Sequence, residues 1–87
     1  MKLFAVRDLK ANMFLKPFSD TSTANACRGF DNVCNSPDSP FNRFPDDFAL
    51  MELGDFDPVE GRFSPHDYPQ NLGSARSMLR SKPEVVQ

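Results

Sequence analysis

The side chains of this 87-residue sequence that could do chemistry are carboxylates, two thiols and one imidazole. Asp46 and Asp47 are adjacent, while Asp55 and Asp57, two apart, would project from one face of a strand, with Glu60 close behind. Paired carboxylates support hydrolysis when further polar groups position the reacting atoms and separate their protonation states. His66 is the only imidazole, and no ring of polar partners accompanies it. Asp55, Asp57 and Glu60 could also gather a divalent cation, but their spacing does not match a calcium-binding loop. Turn and cap formation accounts for these acids more simply. Cys27 and Cys34, seven apart on one helix face, would stand about 10 Å from each other, too far for a disulfide. With a single histidine they make no zinc set and read as small buried thiols. The expectation is a protein that is not an enzyme, with no catalytic residues, no metal and no cofactor.

A second kind of chemistry needs only cations and aromatic faces. Single-stranded nucleic acid is held by Lys and Arg along its phosphates and by rings on which bases stack. Lys2, Arg7, Lys10 and Lys16 crowd the first nineteen residues against Asp8 alone, and Arg28, Arg62, Arg76 and Arg80 follow. Phe14, Phe18, Phe41, Phe44 and Tyr68 are candidate stacking rings, with Tyr68, between Asp67 and Pro69, expected to be the exposed one. For any one of these phenylalanines, packing in the core is the plainer reading. Six acids and no base lie in residues 44–60, and the net charge is -2, so bulk attraction to nucleic acid is excluded as an argument. The acidic middle could pair with the basic ends within one molecule or between copies.

Those residues must be positioned by a small set of elements. Phe44–Phe63 reads as a hairpin, with Phe48, Leu50, Leu53 and Phe56 interleaved with acids, a turn at DPVEG, and an extended return from Arg62 to His66 limited by Pro65 and Pro69. The apolar alternation slips after Leu50. A bulge near Gly54 would re-phase it. Alternatively both faces are covered, with Ala49 and Met51 against a second copy.

Lys2–Asp8 and Met13–Phe18 form an N-terminal hairpin whose second strand lies at an edge, because Pro17 lacks a donor. Ser19–Thr23 supplies cap residues for a helix over 23–35, with Ala24, Cys27, Phe30, Val33 and Cys34 on its apolar side and Arg28, Asp31 and Asn32 opposite. Pro37 ends it. Residues 36–47 are irregular, pinned by Phe41 and Phe44. Leu72–Lys82 predicts a short basic helix.

The expected fold is therefore α+β: a small antiparallel sheet of two hairpins (β-β-α-β-β) with one helix packed on a face and a short C-terminal helix. One domain over 1–78 precedes a basic flexible tail, 79–87. A chain this short buries a small core. Nine Phe with no Ile and no Trp must fill it, each buried ring contributing about 1.5–3 kcal/mol. No apolar run approaches the ~20 residues of a membrane span, and no signal-peptide core follows Met1, which predicts a soluble protein away from membranes.

Several stretches together resemble a known family. They are the opening hairpin ending at Phe14 and Pro17-Phe18, the helix with Ala26, Arg28 and Phe30 running into Asn35-Ser36-Pro37, and above all Phe44-Pro45-Asp46-Asp47-Phe48. Leu50, Glu52-Leu53-Gly54, Phe56-Asp57, Gly61, Phe63, Leu72-Gly73 and Ala75 continue the pattern. Over residues 2–76 the chain resembles the small nonstructural protein of gokushoviruses, single-stranded DNA bacteriophages of the Microviridae. The resemblance implies a DNA-binding phage protein of the host bacterial cytoplasm, absent from the mature virion. Its implied task is genome replication or the switch to single-strand synthesis for packaging. The family carries over no catalytic residue, and Cys27, Cys34 and the tail beyond Met78 fall outside its pattern. The nucleic-acid set is thus Lys2, Arg7, Lys10, Lys16, Arg28, Arg62, Tyr68, Arg76 and Arg80. The alternative is a protein-binding adaptor that engages a viral or host replication protein or a capsid-assembly protein without contacting DNA. Either is expected to form a homo-oligomer, a dimer.

Overall fold

Strand β1 (Lys2–Asp8) alternates Phe4 and Val6 with Leu3, Ala5 and Arg7, and that alternation sets the layers of the domain. Phe4 and Val6 point to a helix-covered near face, where they join Phe48, Leu50, Ala26, Phe30, Cys34 and Ala75 in one buried cluster. The computed structural model describes residues 1–80. Strand β2 (Met13–Phe14) and strand β3 (Phe18–Asp20) pair with opposite ends of β1, antiparallel. After them come helix α1 (Thr23–Cys34), the short helix α2 (Pro40–Arg43), a 3₁₀ turn (Pro45–Asp47), the long strands β4 (Phe48–Asp57) and β5 (Arg62–Ser74), and the single-turn helix α3 (Ala75–Met78). The sheet runs β2-β1-β4-β5, with β3 sharing β1's outer edge, and each of these pairings is antiparallel. The expected α+β class, with its C-terminal helix, is what forms.

Several local expectations change. The second strand is not continuous over Met13–Phe18. Phe14 lies opposite Arg7 and Phe18 opposite Phe4, so three residues, Leu15 to Pro17, face two, and Pro17 falls in the break where no donor is needed. The return strand does not stop at His66. It continues to Ser74, because β5 is an edge strand and Pro65 precedes, and Pro69 ends, a bulge: β5 spends His66 to Pro69 opposite the single residue Leu53. The expected helix over Leu72–Lys82 contracts to Ala75–Met78, since Leu72, Gly73 and Ser74 finish β5; Lys82 and the rest of the predicted tail from 81 onward lie outside the described residues. Leu79 and Arg80 are tied back, Leu79 against the core and Arg80 through its backbone N–H to Asn35 Oδ1 at 3.0 Å.

The bulge expected near Gly54 is present, with Leu53 as the extra residue: β1 steps from Leu3 to Phe4 while β4 steps from Gly54 to Glu52. Gly54 is needed for a second reason. A Cβ there would lie 2.7 Å from Pro65 Cα and closer still to the Ser64 carbonyl, so β5 approaches only because Gly54 has no side chain. Asn12 closes the first hairpin at φ 60°, a left-handed turn position that asparagine tolerates.

Helix α1 starts where the hydroxyl and Asx residues suggest. Ser22 is its cap, Oγ accepting from the Asn25 backbone N–H at 3.1 Å. Its buried stripe is rotated from the predicted one: Ala26, Phe30 and Cys34 face the sheet, while Ala24 and Val33 are exposed. In the segment read as irregular, Phe41 packs edge-on to Phe48 (4.8 Å between centroids) and against Phe30, but Phe44 is exposed and Pro45 is buried in its place. Burial raises the Cys34 thiol to about 11, which suits an inert core group better than a reactive one.

Candidate nucleic-acid interface

The first hairpin draws its geometry from β1. Arg7, one residue out of phase with Val6, projects from the far face, opposite the helix layer, and Phe14 is its cross-strand partner. The guanidinium stands 5.0 Å over the Phe14 ring and donates to Asn12 Oδ1 from the turn. A cation over an aromatic face is attracted by the ring's quadrupole, and the asparagine fixes its height. Asp8, the hairpin's one acid, is occupied in forming the turn, Oδ1 accepting the Lys10 and Ala11 backbone N–H groups at 3.0 Å. Lys10 is exposed in that turn and Lys16 in the break between β2 and β3. Neither has a carboxylate within salt-bridge distance among the described residues.

The remaining candidates are placed elsewhere. Lys2 lies on the near face about 17 Å along β1 from Arg7, bonded to Asp55 at 3.1 Å and 3.7 Å from Glu52. These partners, Asp55 first, raise its pKa. Arg76 grips Asp46 with two parallel bonds of 3.0 Å, lowering the acid and raising the base. Arg80 holds Asp31 on α1 at 2.9 Å. Arg62 is opposite Asp57 at the β4–β5 turn, about 27 Å along the sheet from Arg7. Arg28 is exposed on the outside of α1. Tyr68, 78% exposed, rides on the β5 bulge. Of the nine predicted residues the fold gathers three, Arg7, Lys10 and Lys16. Three others, Lys2, Arg76 and Arg80, are committed to carboxylates.

One polar cluster was not anticipated. Glu52 is 5% exposed, on the near face in line with Phe48 and Leu50. Its Oε1 accepts from the Thr23 hydroxyl at 2.7 Å, at the start of α1, and its Oε2 lies 2.7 Å from His66 Nε2. An ionised carboxylate only accepts, so Nε2 carries the hydrogen in that bond. The Thr23 hydrogen bond is the main cause of a lowered Glu52 pKa, which burial opposes and His66 and Lys2 reinforce. The arrangement ties α1, β1, β4 and the β5 bulge together. Turning His66 inward is what leaves Asp67 and Tyr68 outside. A signal existed in the sequence: a glutamate at the alternation of Phe48 and Leu50 lies on the core side of its strand. His66 looked isolated only because its partner is fourteen residues away. Among the described residues no three His, Cys, Asp or Glu side chains gather in a metal-binding group.

The family model of the Phage ORF5 protein matches residues 1–78, so its span covers the sheet, α1 and the first hairpin. No curated protein and no solved structure matches the chain.

Proposed function

Since the chain belongs to the Phage ORF5 protein family and is a phage protein, we propose that it is a non-enzymatic regulatory protein that binds single-stranded DNA. Its place is phage genome replication, or the switch to single-strand synthesis for packaging, as in the gokushovirus proteins it resembles. It would act in the host bacterial cytoplasm and stay out of the mature virion. One observation carries this reading: among the described residues Arg7, Lys10 and Lys16 of the first hairpin have no carboxylate within salt-bridge distance, and Arg7 stands over the Phe14 ring. Backbone phosphates need such uncommitted cations, and bases need such stacking surfaces.

The measurement is anisotropy of a labelled oligonucleotide of unstructured sequence. Binding is expected at ~50 mM salt and should fall steeply by ~200 mM as phosphate counterions are released. Lys10→Glu with Lys16→Glu should weaken it about tenfold or more and flatten the salt dependence. Absence of binding at the lower salt, or indifference to the double variant, removes the proposal.

A protein-binding adaptor is the second reading, favoured by the β4–β5 turn, where Val59 is 87% exposed beside Glu60. An adaptor using that turn keeps its partner in the Lys10→Glu, Lys16→Glu variant.

A further inference from the structure

Helices α1, α2 and α3 and the core cluster all lie on the near face of the sheet, with Phe4, Val6, Phe48 and Leu50. The far face carries the other parity. Across β2, β1, β4 and β5 the register places Phe14, Arg7, Ala49 and Ser74 in one row, and Ala5, Met51 and Asn71 in the next. The three helices lie with the other parity, so this side of the sheet is formed by the strands' own side chains.

Three properties of this face point to one occupant. First, its floor is low. Ala5 and Ala49 are 1% and 2% exposed, so the accessible surface of these rows is made by Arg7, Phe14, Met51 and Asn71. Three strand spacings make the floor about 14 Å wide, a width on which two or three bases can lie, as they do on other open sheets. Second, its charge has one sign. Asp8, Asp20 and Glu52 take the near-face parity of Phe4 and Phe48, so the two rows hold a cation and no carboxylate. Lys16 stands on the rim, in the break opposite Ala5 and Val6, and Lys10 at the end of β1. Third, the single aromatic ring of these rows, Phe14, is half-buried with the guanidinium above it, a platform already assembled.

We propose that single-stranded DNA lies across this far face, its bases against Met51 and Asn71 beside the Arg7–Phe14 stack and its phosphates toward Lys10 and Lys16. The inference rests on the DNA-binding reading and adds the surface. An acidic peptide would seek the same cations but has no use for the flat uncharged floor. A second copy could bring the acids of residues 44–60 to the same cations, an outcome that sedimentation distinguishes below.

Two measurements decide it. Met51→Glu puts a carboxylate in the middle of the floor without touching the core, and Phe14→Leu removes the ring but keeps apolar volume. Each is expected to weaken oligonucleotide binding about fivefold or more, the scale of one lost base stack, with an unchanged circular dichroism spectrum. Amide shifts on adding a short thymidine oligonucleotide to the wild-type chain should centre on Ala5, Arg7, Ala49, Met51 and Asn71. The shift map stands even where a variant fails to fold. Shifts centred on α1 around Arg28, or full affinity in both variants while Lys10→Glu with Lys16→Glu loses it, would overturn the face and leave the DNA reading intact. No shift anywhere would end both. Sedimentation showing that Met51→Glu splits a wild-type dimer with binding untouched would assign the face to a second copy and overturn the inference.

Discussion

Lys2 and Arg7 belong to the same strand, five residues apart, and meet opposite neighbourhoods. Lys2 shares the near face with Glu52, Asp55 and, through Glu52, with His66 and Thr23. Arg7, one register position out of phase with it, meets Phe14 and Asn12 and, among the described residues, no acid. At the first end the charges hold the fold together, because a half-buried cation and a buried carboxylate satisfy each other and fasten α1 to the sheet. At the second end the cations are spared that work. The contrast teaches that a basic segment of sequence is not one surface: the pleat splits it between two faces, and the cross-strand partner decides which charge remains available.

The largest expected effect is at Glu52. Glu52→Ala strands the Thr23 hydroxyl and the His66 ring, and should lower unfolding free energy by about 3 kcal/mol, since charged hydrogen bonds contribute roughly 1.5–3 kcal/mol each. Urea denaturation measures this. Below its melting transition the variant should still bind oligonucleotide, because the far face is untouched. A loss under 1 kcal/mol would mean that the polar cluster fastens nothing.

A smaller effect is expected at Gly54. Gly54→Ala drives a methyl group into the Ser64–Pro65 backbone, and crowding of that kind costs about 1–3 kcal/mol. Because the clash is local to the β4–β5 pairing, faster amide exchange should appear around Leu53 and Ser64 before it appears in β1–β2. Uniform exchange across the sheet would show that the two ends do not open separately.

The smallest effect is read by pH. Folding lowers the Glu52 and Asp46 carboxyls, so the folded chain holds fewer protons than the unfolded one as acid is added. Their contribution is complete above the ordinary carboxylate range, about pH 4–4.5, and is lost as pH falls through their lowered folded values. Thermal melts between pH 6 and pH 3 should decline chiefly at the acid end of that interval, and Glu52→Gln should make the decline shallower. An equal slope in both proteins would separate acid sensitivity from the Glu52 end.

Much of the architecture was legible in the sequence. Apolar alternation marked β1 and β4, the serine and threonine cluster ahead of Ala24 marked the start of α1, and the slip of parity after Leu50 marked the bulge. These are local effects: strand parity, capping and glycine geometry act over a few residues. Helix rotation was misjudged because Ala24 and Val33 fit the period as well as Ala26 does, and only the sheet chooses between them. The continuation of β5 past Pro65 and Pro69 was missed because a proline is tolerated or not according to whether its strand has a neighbour on that side.

By itself the sequence determined the α+β class and the crowding of cations into the first hairpin. Tertiary structure alone decided which of those cations have no carboxylate partner among the described residues. Lys2 and Asp55, Arg76 and Asp46, and Arg80 and Asp31 are separated by 53, 30 and 49 residues. Pairing at such distances is set by register and by how helices dock, and composition carries no trace of it.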